Sequence, residues 1–376
     1  MSGTFRKIRR RIWLVLNIGV VLWVLAGVLS LQVPPQSFWP AGFVAFSLPG
    51  ALVLNFFFLL YWALRRSWLF MLPLAVLLLA WNYYARLLAI NFEKEVPEGA
   101  NTLQVLSFNT HMFNVYSDDA GDQGSSVEMA DWIATNPADV YCLQEFYSKR
   151  SSDVYNTISR IGVRYDKHRF FSVSRTSRKR GDVGIAIFSK HPIIHKGVIN
   201  FSNEPSPNRV VWVDLNVAGD TIRVYASHLQ SMSIKREDIE DTYSSLSNED
   251  SFKRRGRNLA RRLRAGFVAR GEQVEMLLDH VRESPYRTIV CGDFNDIPFS
   301  YTYNKLAKEL DNAFVKAGTG VGATYNGPLP FLRIDNQFYT DGLRAVSFQT
   351  HNEMGLSDHY PISATYVVEP RAEEAR

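Results

Sequence analysis

The sequence predicts an α/β sandwich, two sheets facing each other with helices outside, set behind three membrane-spanning helices. Three observations lead there. Charge is absent from Ile12–Leu31 over 20 residues, from Phe38–Leu64 over 27 and from Ser67–Ala85 over 19, each close to the ~20 apolar residues that cross a bilayer. The rest of the chain alternates strand-like runs with turns and a few helical patterns, which builds layered sheets. Finally, those runs stop again and again at a residue able to bind or move charge.

The expected spans are about 12–31, 38–64 and 67–90, making residues 1–92 a membrane anchor. FRKIRRR before the first span is also how a secretory signal begins, but two more spans follow and no small-residue cleavage site precedes Pro34. Arg6, Lys7, Arg9, Arg10 and Arg11 precede the first span, Arg65 and Arg66 separate the second and third, and Gln32–Ser37 is uncharged. Basic flanks stay on the cytoplasmic side, so the N-terminus is expected inside and everything after the third span extracytoplasmic, periplasmic in a Gram-negative cell. Trp39, Tyr61, Trp62, Trp68, Tyr83 and Tyr84 sit near span ends, where aromatic rings anchor. Arg86 near the outer end runs against the pattern, though a side chain that long can snorkel.

The net charge of +5 does not indicate nucleic-acid binding. Residues 1–96 hold 9 Lys+Arg and 2 Asp+Glu, which leaves 33 against 35 in 97–376. The excess belongs to membrane topology. Cys142 and Cys291 both lie in apolar runs and read as small core residues rather than a disulfide framework.

Residues 93–100 form a polar linker, 101–368 the soluble domain, 233–271 a charged insertion within it and 369–376 a tail. Strands are expected at Leu103–Phe108, Val140–Gln144, Gly184–Phe188, Thr288–Cys291, Val346–Thr350 and Ile362–Val368. Arg209–Val217 and Thr221–Ser227 form a hairpin closed at Ala218–Gly219–Asp220. Ser126–Thr135 and Gln273–Val281 have helical patterns. Inside the insertion, Glu237–Asp250 has six acidic residues, and Phe252–Arg270 has eight basic and no acidic ones. Phe252, Leu259, Leu263 and Phe267 share one helical face. Such a basic amphipathic helix suits either anionic headgroups or a solvated insertion packed on the domain.

The chemistry centres on TIVCGDFNDIP, residues 288–298. A strand that delivers Asp293 and Asn295 two residues apart sets both on one side of its end. Gly-Asp-Phe-Asn also suits a plain turn, and a lone His such as His228 after a strand is usually structural. Yet Asn109, Glu145, His228, Asp293, Asn295, Asp335, Asp358 and His359 all end or follow apolar runs, which is hard to explain unless the ends converge. Carboxylates and amides without a Cys/His cluster favour magnesium or manganese over zinc. Two histidines with neighbouring acids suit proton transfer and stabilisation of an anionic transition state. Metal-assisted hydrolysis of a phosphate ester follows.

LSFNTH, CLQEF, GIAIFSKHPI, NRVVWVDL, VYASHLQS, VCGDFND, RID and SDHYPI resemble, in this order, the endonuclease/exonuclease/phosphatase superfamily. That group takes in DNase I-like nucleases, AP endonucleases, inositol polyphosphate phosphatases and neutral sphingomyelinases. The resemblance covers roughly 101–368 and implies a four-layered α/β sandwich with the site at one edge. It implies Glu145 as principal Mg2+ ligand (Mn2+ being the alternative ion), with Asn109 and Asp358 in the metal region. Asp293 and Asn295 resemble the pair that activates water and holds the phosphate, and His359 with Asp335 the essential histidine–aspartate couple. His228 resembles the second histidine, contacting a phosphate oxygen or protonating the leaving group, and Arg209 a strand-start arginine near the phosphate. Asn336 stands where members often have an aromatic residue.

The expected activity is a membrane-anchored, Mg2+-dependent phosphodiesterase with the bilayer as partner and a phospholipid-type or nucleic-acid substrate. No obligate protein partner is implied. An extracytoplasmic endo- or exonuclease and a noncatalytic membrane module binding a phosphorylated ligand are the alternatives. Loss of a metal ligand would favour the last, and none is lost.

Overall fold

The computed structural model describes residues 3–92, 94–116, 123–177, 181–204, 206–232 and 249–370. Most of the acidic run, the first part of the charged insertion and the end of the tail lie outside the described residues. In chain order the strands begin with β1 (Ala89–Ile90), β2 (Thr102–Asn109), β3 (Val140–Ser148), β4 (His168–Ser177) and β5 (Gly181–Ser189). They continue with β6 (Ile193–Asn200), β7 (Arg209–Val217), β8 (Asp220–His228), β9 (Arg287–Asp293) and β10 (Asp311–Asn312). The last are β11 (Thr319–Gly320), β12 (Asp335–Tyr339), β13 (Leu343–Thr350) and β14 (Ile362–Val368). One six-stranded sheet runs β10-β12-β9-β8-β7-β6 and the other β13-β14-β2-β3-β5-β4, while β1 and β11 make a small separate pair.

Alternation within the strands divides their side chains between two faces. Inward, Val105, Cys142 and Ile187 of one sheet meet Val211, Val224, Ile289 and Cys291 of the other. Both cysteines are buried and free, in keeping with small core residues. Outward, helix Gln123–Thr135 covers one sheet with Met129, Ala130 and Ile133. The long helix Glu249–Arg282 covers the other with Val274, Leu277 and Leu278, packed on Tyr225, Val290 and Phe338. Helix, sheet, sheet and helix make the expected four layers. Each fully buried side chain of this size contributes roughly 1.5–3 kcal/mol.

Two differences from the sequence reading have physical causes. The edge strands β4 and β6 carry Arg169, Arg175, His195 and Lys196, and edge strands bear such charges to discourage further pairing, which blurs their alternation. The basic stretch Phe252–Arg270 and the pattern at Gln273–Val281 form one helix of 34 residues rather than two elements, because no proline separates them.

Among the described residues, α1 (Gly3–Ser30) alone is long and apolar enough to cross a bilayer unbroken. The second expected span is α2 (Pro40–Phe46) plus α3 (Leu48–Leu64), bent by 41°. Pro49 has no N–H for the Ala45 carbonyl, so the helix breaks between them. The third is a short 3-10 turn, Trp68–Phe70, leading into α4 (Met71–Leu79), then α5 (Trp81–Leu87) after a 73° bend. By length and composition, then, one helix can cross a membrane, or up to three if each bent pair is one span.

Pairs along α1 and α3 run in opposite senses: Trp13 with Tyr61, Asn17 with Trp62 (3.0 Å) and Trp23 with Ser47 (2.8 Å). The basic ends thus lie together. At the other end Leu31, Ala45, Leu48, Leu52 and Ala80 form one apolar cluster with Ile297, Phe299 and Ile334 of the sandwich. Arg86 crosses this seam, donating to the Pro298 carbonyl (3.4 Å) and Asn304 Oδ1 (3.2 Å) between the Tyr83 and Tyr303 rings. The charge that ran against the membrane pattern is a cross-link to the soluble domain.

Candidate active site

Strand register brings the polar ends to one edge. β8 and β9 run parallel with His228 opposite Asp293, and antiparallel β12 begins with Asp335 opposite Asp293. In the facing sheet β2 and β3 run parallel with Asn109 opposite Gln144, one residue before Glu145. Gly292 lets β8 and β9 close up: its φ is 137°, and a Cβ there would stand 2.1 Å from the Ser227 carbonyl oxygen.

Asp293 is the centre. Its Oδ1 accepts the Asn295 backbone N–H at 2.8 Å, and its Oδ2 accepts the side-chain amides of Asn295 and Asn109, both at 3.0 Å. Asn295 is left-handed at φ 51°, a conformation asparagine tolerates. The sequence expected Asp293 and Asn295 to act side by side, and here the amide also orients the acid. His228 Nε2 and His359 Nε2 each lie 3.7 Å from Asp293 Oδ2, so two imidazoles flank one carboxylate oxygen.

His359 Nδ1 is 2.9 Å from Asp335 Oδ2, with both residues buried. Burial alone would pull the imidazole pKa down, but Asp335 and Asp293 outweigh it and hold it well above the ordinary value. The two carboxylates thus favour the charged form of the His359 ring. Thr324 Oγ1 accepts the backbone N–H of Ile334 and of Asp335 at 3.0 and 3.1 Å, fixing the start of β12. Ser357 Oγ accepts the His359 N–H at 3.2 Å and donates to the Asn109 carbonyl at 2.9 Å.

Glu145 sits on a β3 irregularity between Leu143 and Phe146 with φ 48°, strain of a kind that gathers at functional sites. Its Oε1 is 3.6 Å from His228 Nε2. Asp358 remains partly exposed, 3.3 Å from Ser357 Oγ and 3.9 Å from His111 Nδ1. Asn109, Glu145 and Asp358 carry oxygens of the hard type that a magnesium-like cation takes, two of them carboxylates. Among the described residues, Asp293, Asp335 and His359 form a group of three whose ligand atoms all lie within 4.8 Å of one another and could hold a metal ion.

Arg209 opens β7 opposite His228 of β8. Its guanidinium donates to the Ser206 carbonyl at 3.0 and 2.7 Å, to Ser172 Oγ at 3.3 Å and to the Val173 carbonyl at 3.4 Å. Asn336 is buried beside Asn312 at 3.4 Å, with its Nδ2 lacking a partner. Sequence reasoning missed the Thr324 and Ser357 supports and the buried pair of Arg270 with Asp296 at 3.0 Å. Ser357 lay within SDHYPI, but one basic residue among eight gave no sign that Arg270 turns inward.

Two sheets with polar strand ends converging on a carboxylate and two imidazoles define a metal-dependent hydrolase of phosphate esters. Residues 106–359 match the Endonuclease/Exonuclease/phosphatase family, and the chain belongs to it. Residues 10–87 match a domain of unknown function. An endonuclease/exonuclease/phosphatase from Beutenbergia cavernae DSM 12333 is 19% identical, covering 72% of each chain with a TM-score of 0.51. A family protein from Bacteroides thetaiotaomicron is 17% identical over 72% of this chain and 99% of its own, also with TM-score 0.51. One from Bacteroides vulgatus is 15% identical over 71% and 99%, again at 0.51. No curated protein matches.

Proposed function

We propose that the chain is a membrane-anchored, Mg2+-dependent phosphodiesterase that hydrolyses a phospholipid-type substrate at the extracytoplasmic bilayer surface. One observation carries the substrate class: the loop bearing Asp293 and Asn295 runs within a few residues into Ile297 and Phe299, which are packed among the anchor helices. A site fixed there meets headgroups first. The orientation rests on the basic ends of α1 and α3 lying away from the sandwich.

In this mechanism Asp293 Oδ2, oriented by Asn109 and Asn295, accepts the proton of the attacking water. His359, kept protonated by Asp335, donates from Nε2 to a non-bridging phosphate oxygen as negative charge develops. His228 protonates the leaving oxygen. Arg209 braces the start of β7 behind it. Glu145, Asn109 and Asp358 would hold Mg2+, which supplies Lewis-acid polarisation of the phosphate when bound.

The test is the full chain in phospholipid nanodiscs with Mg2+, assayed in parallel on sphingomyelin, glycerophospholipids, plasmid DNA, RNA and a phosphate monoester. Lipid headgroup release is expected. Cleavage of nucleic acid alone would make the protein a tethered nuclease. No turnover with Mg2+ or Mn2+ would leave only a binding module.

A further inference from the structure

We propose that the N-terminal half of the long helix Glu249–Arg282 is an anionic-lipid-binding face lying along the headgroup layer beside α2. The proposal rests on the membrane-anchor reading above but not on the identity of the substrate.

The helix is fixed against the anchor at its middle. Phe267 is 4% exposed and meets the Phe43 ring edge-on at 5.3 Å. Gly42 makes room for it, since a Cβ there would fall 2.5 Å from a Phe267 ring carbon. Arg264 lies over the ring of Trp39, 5.0 Å from its centroid, and Gly271 passes close to Pro35 and Gln36. These partners belong to the loop after α1 and to α2, at the start of the second expected span.

Toward its N-terminus the helix continues past those contacts. At 100° per residue, Leu263, Leu259 and Phe252 lie on the Phe267 side. Leu263 and Leu259 are only half-buried and Phe252 is 40% exposed. Arg254, Arg257, Arg261 and Arg264, all exposed, form a stripe on the other side, and no acidic residue interrupts Phe252–Arg270. An apolar stripe that begins on a membrane helix and continues with arginines opposite is the pattern of a segment lying at the water–lipid boundary. The arginines match the negative charge of anionic headgroups. A nucleic acid would complement the charge but not the partly exposed apolar stripe.

The face is also joined to the site. At the far end of the basic stretch the buried Arg270 donates to Asp296 Oδ2 at 3.0 Å and to the Gln230 carbonyl at 2.9 Å. These residues follow Asn295 and, two positions on, His228. Lipid contact by this helix therefore sets the pose of both catalytic loops over the surface.

The experiment uses the full chain with Asn258→Cys carrying a fluorophore, the native cysteines being buried. It is reconstituted into phosphatidylcholine nanodiscs with or without phosphatidylglycerol, both containing a headgroup-nitroxide lipid. Each cation at an anionic surface is worth about five-fold in partitioning, so quenching should be several-fold stronger with phosphatidylglycerol and fall as salt rises. R254Q/R257Q/R261Q should lose that difference while its thermal unfolding stays unchanged. Equal quenching in both lipids, or a triple variant that behaves as wild type, overturns the proposal. Extraction of the chain by alkaline carbonate would instead sink the anchor reading beneath it.

Discussion

Asp293 gathers more of the site's geometry than any other side chain, but the residues around it should fail in different ways when changed. On the proposed roles, Glu145→Gln weakens metal use: its Mg2+ concentration for half-maximal rate should rise by at least about ten-fold. His359→Ala should lower kcat by roughly 10²–10⁴ with that Mg2+ dependence unmoved. Equal shifts in both Mg2+ curves would reverse the assignment. Lys167 offers a pH test remote from catalysis. It donates to the Ala134 carbonyl at 3.0 Å over the Tyr141 ring, and burial, with Lys190 adding repulsion, pushes its pKa down to about 8. The unfolded chain, with a lysine pKa near ~10.4, holds the extra proton between those values, so unfolding takes up a proton there. The penalty is complete below about pH 8 and fades above it. Wild type should thus gain Tm relative to Lys167→Met as pH rises through that window, and a flat difference would refute it. At this scale the polar strand ends were legible because each broke an apolar run. Arg270 was not, because sequence does not say whether a guanidinium faces solvent or turns inward to a carboxylate and a backbone carbonyl.

The sheet edge works because two pairs of parallel strands stop together. β8 and β9 approach so closely at Gly292 that any side chain there must displace backbone. Gly292→Ala should cost more than about 2 kcal/mol and reduce kcat beyond what stability explains, since it shifts Asp293 itself. Matched urea midpoints for variant and wild type would contradict this. Central strands such as Val140–Ser148 were readable from unbroken apolar runs. The edges β4 and β6 escaped because edge strands hide their alternation under charge. The long helix read as two elements because its pattern changes partner midway, from the sandwich to the anchor. The sequence reading took 38–64 as one unbroken stretch and passed over Pro49, where α2 and α3 part, and nothing in Leu79–Trp81 foretold the 73° break.

In the whole molecule, anchor and sandwich share an apolar cluster, so the soluble domain is not a cargo on a string. Fragment 97–376 would uncover Ile297, Phe299 and Ile334, each at most 6% exposed in the full chain, and apolar patches of this kind promote association. The fragment should self-associate by light scattering or melt below the same domain in the full chain. A monomer of equal Tm would mean the seam is marginal.

Arg86, wedged between Tyr83 and Tyr303, has a kinetic meaning. On the proposed function, an enzyme held this way does not sample the bulk; it encounters substrate as a density within a plane. Its rate should then follow the mole fraction of substrate among neighbouring lipids, stay constant when the suspension is diluted, and fall when inert lipid is added at constant bulk substrate.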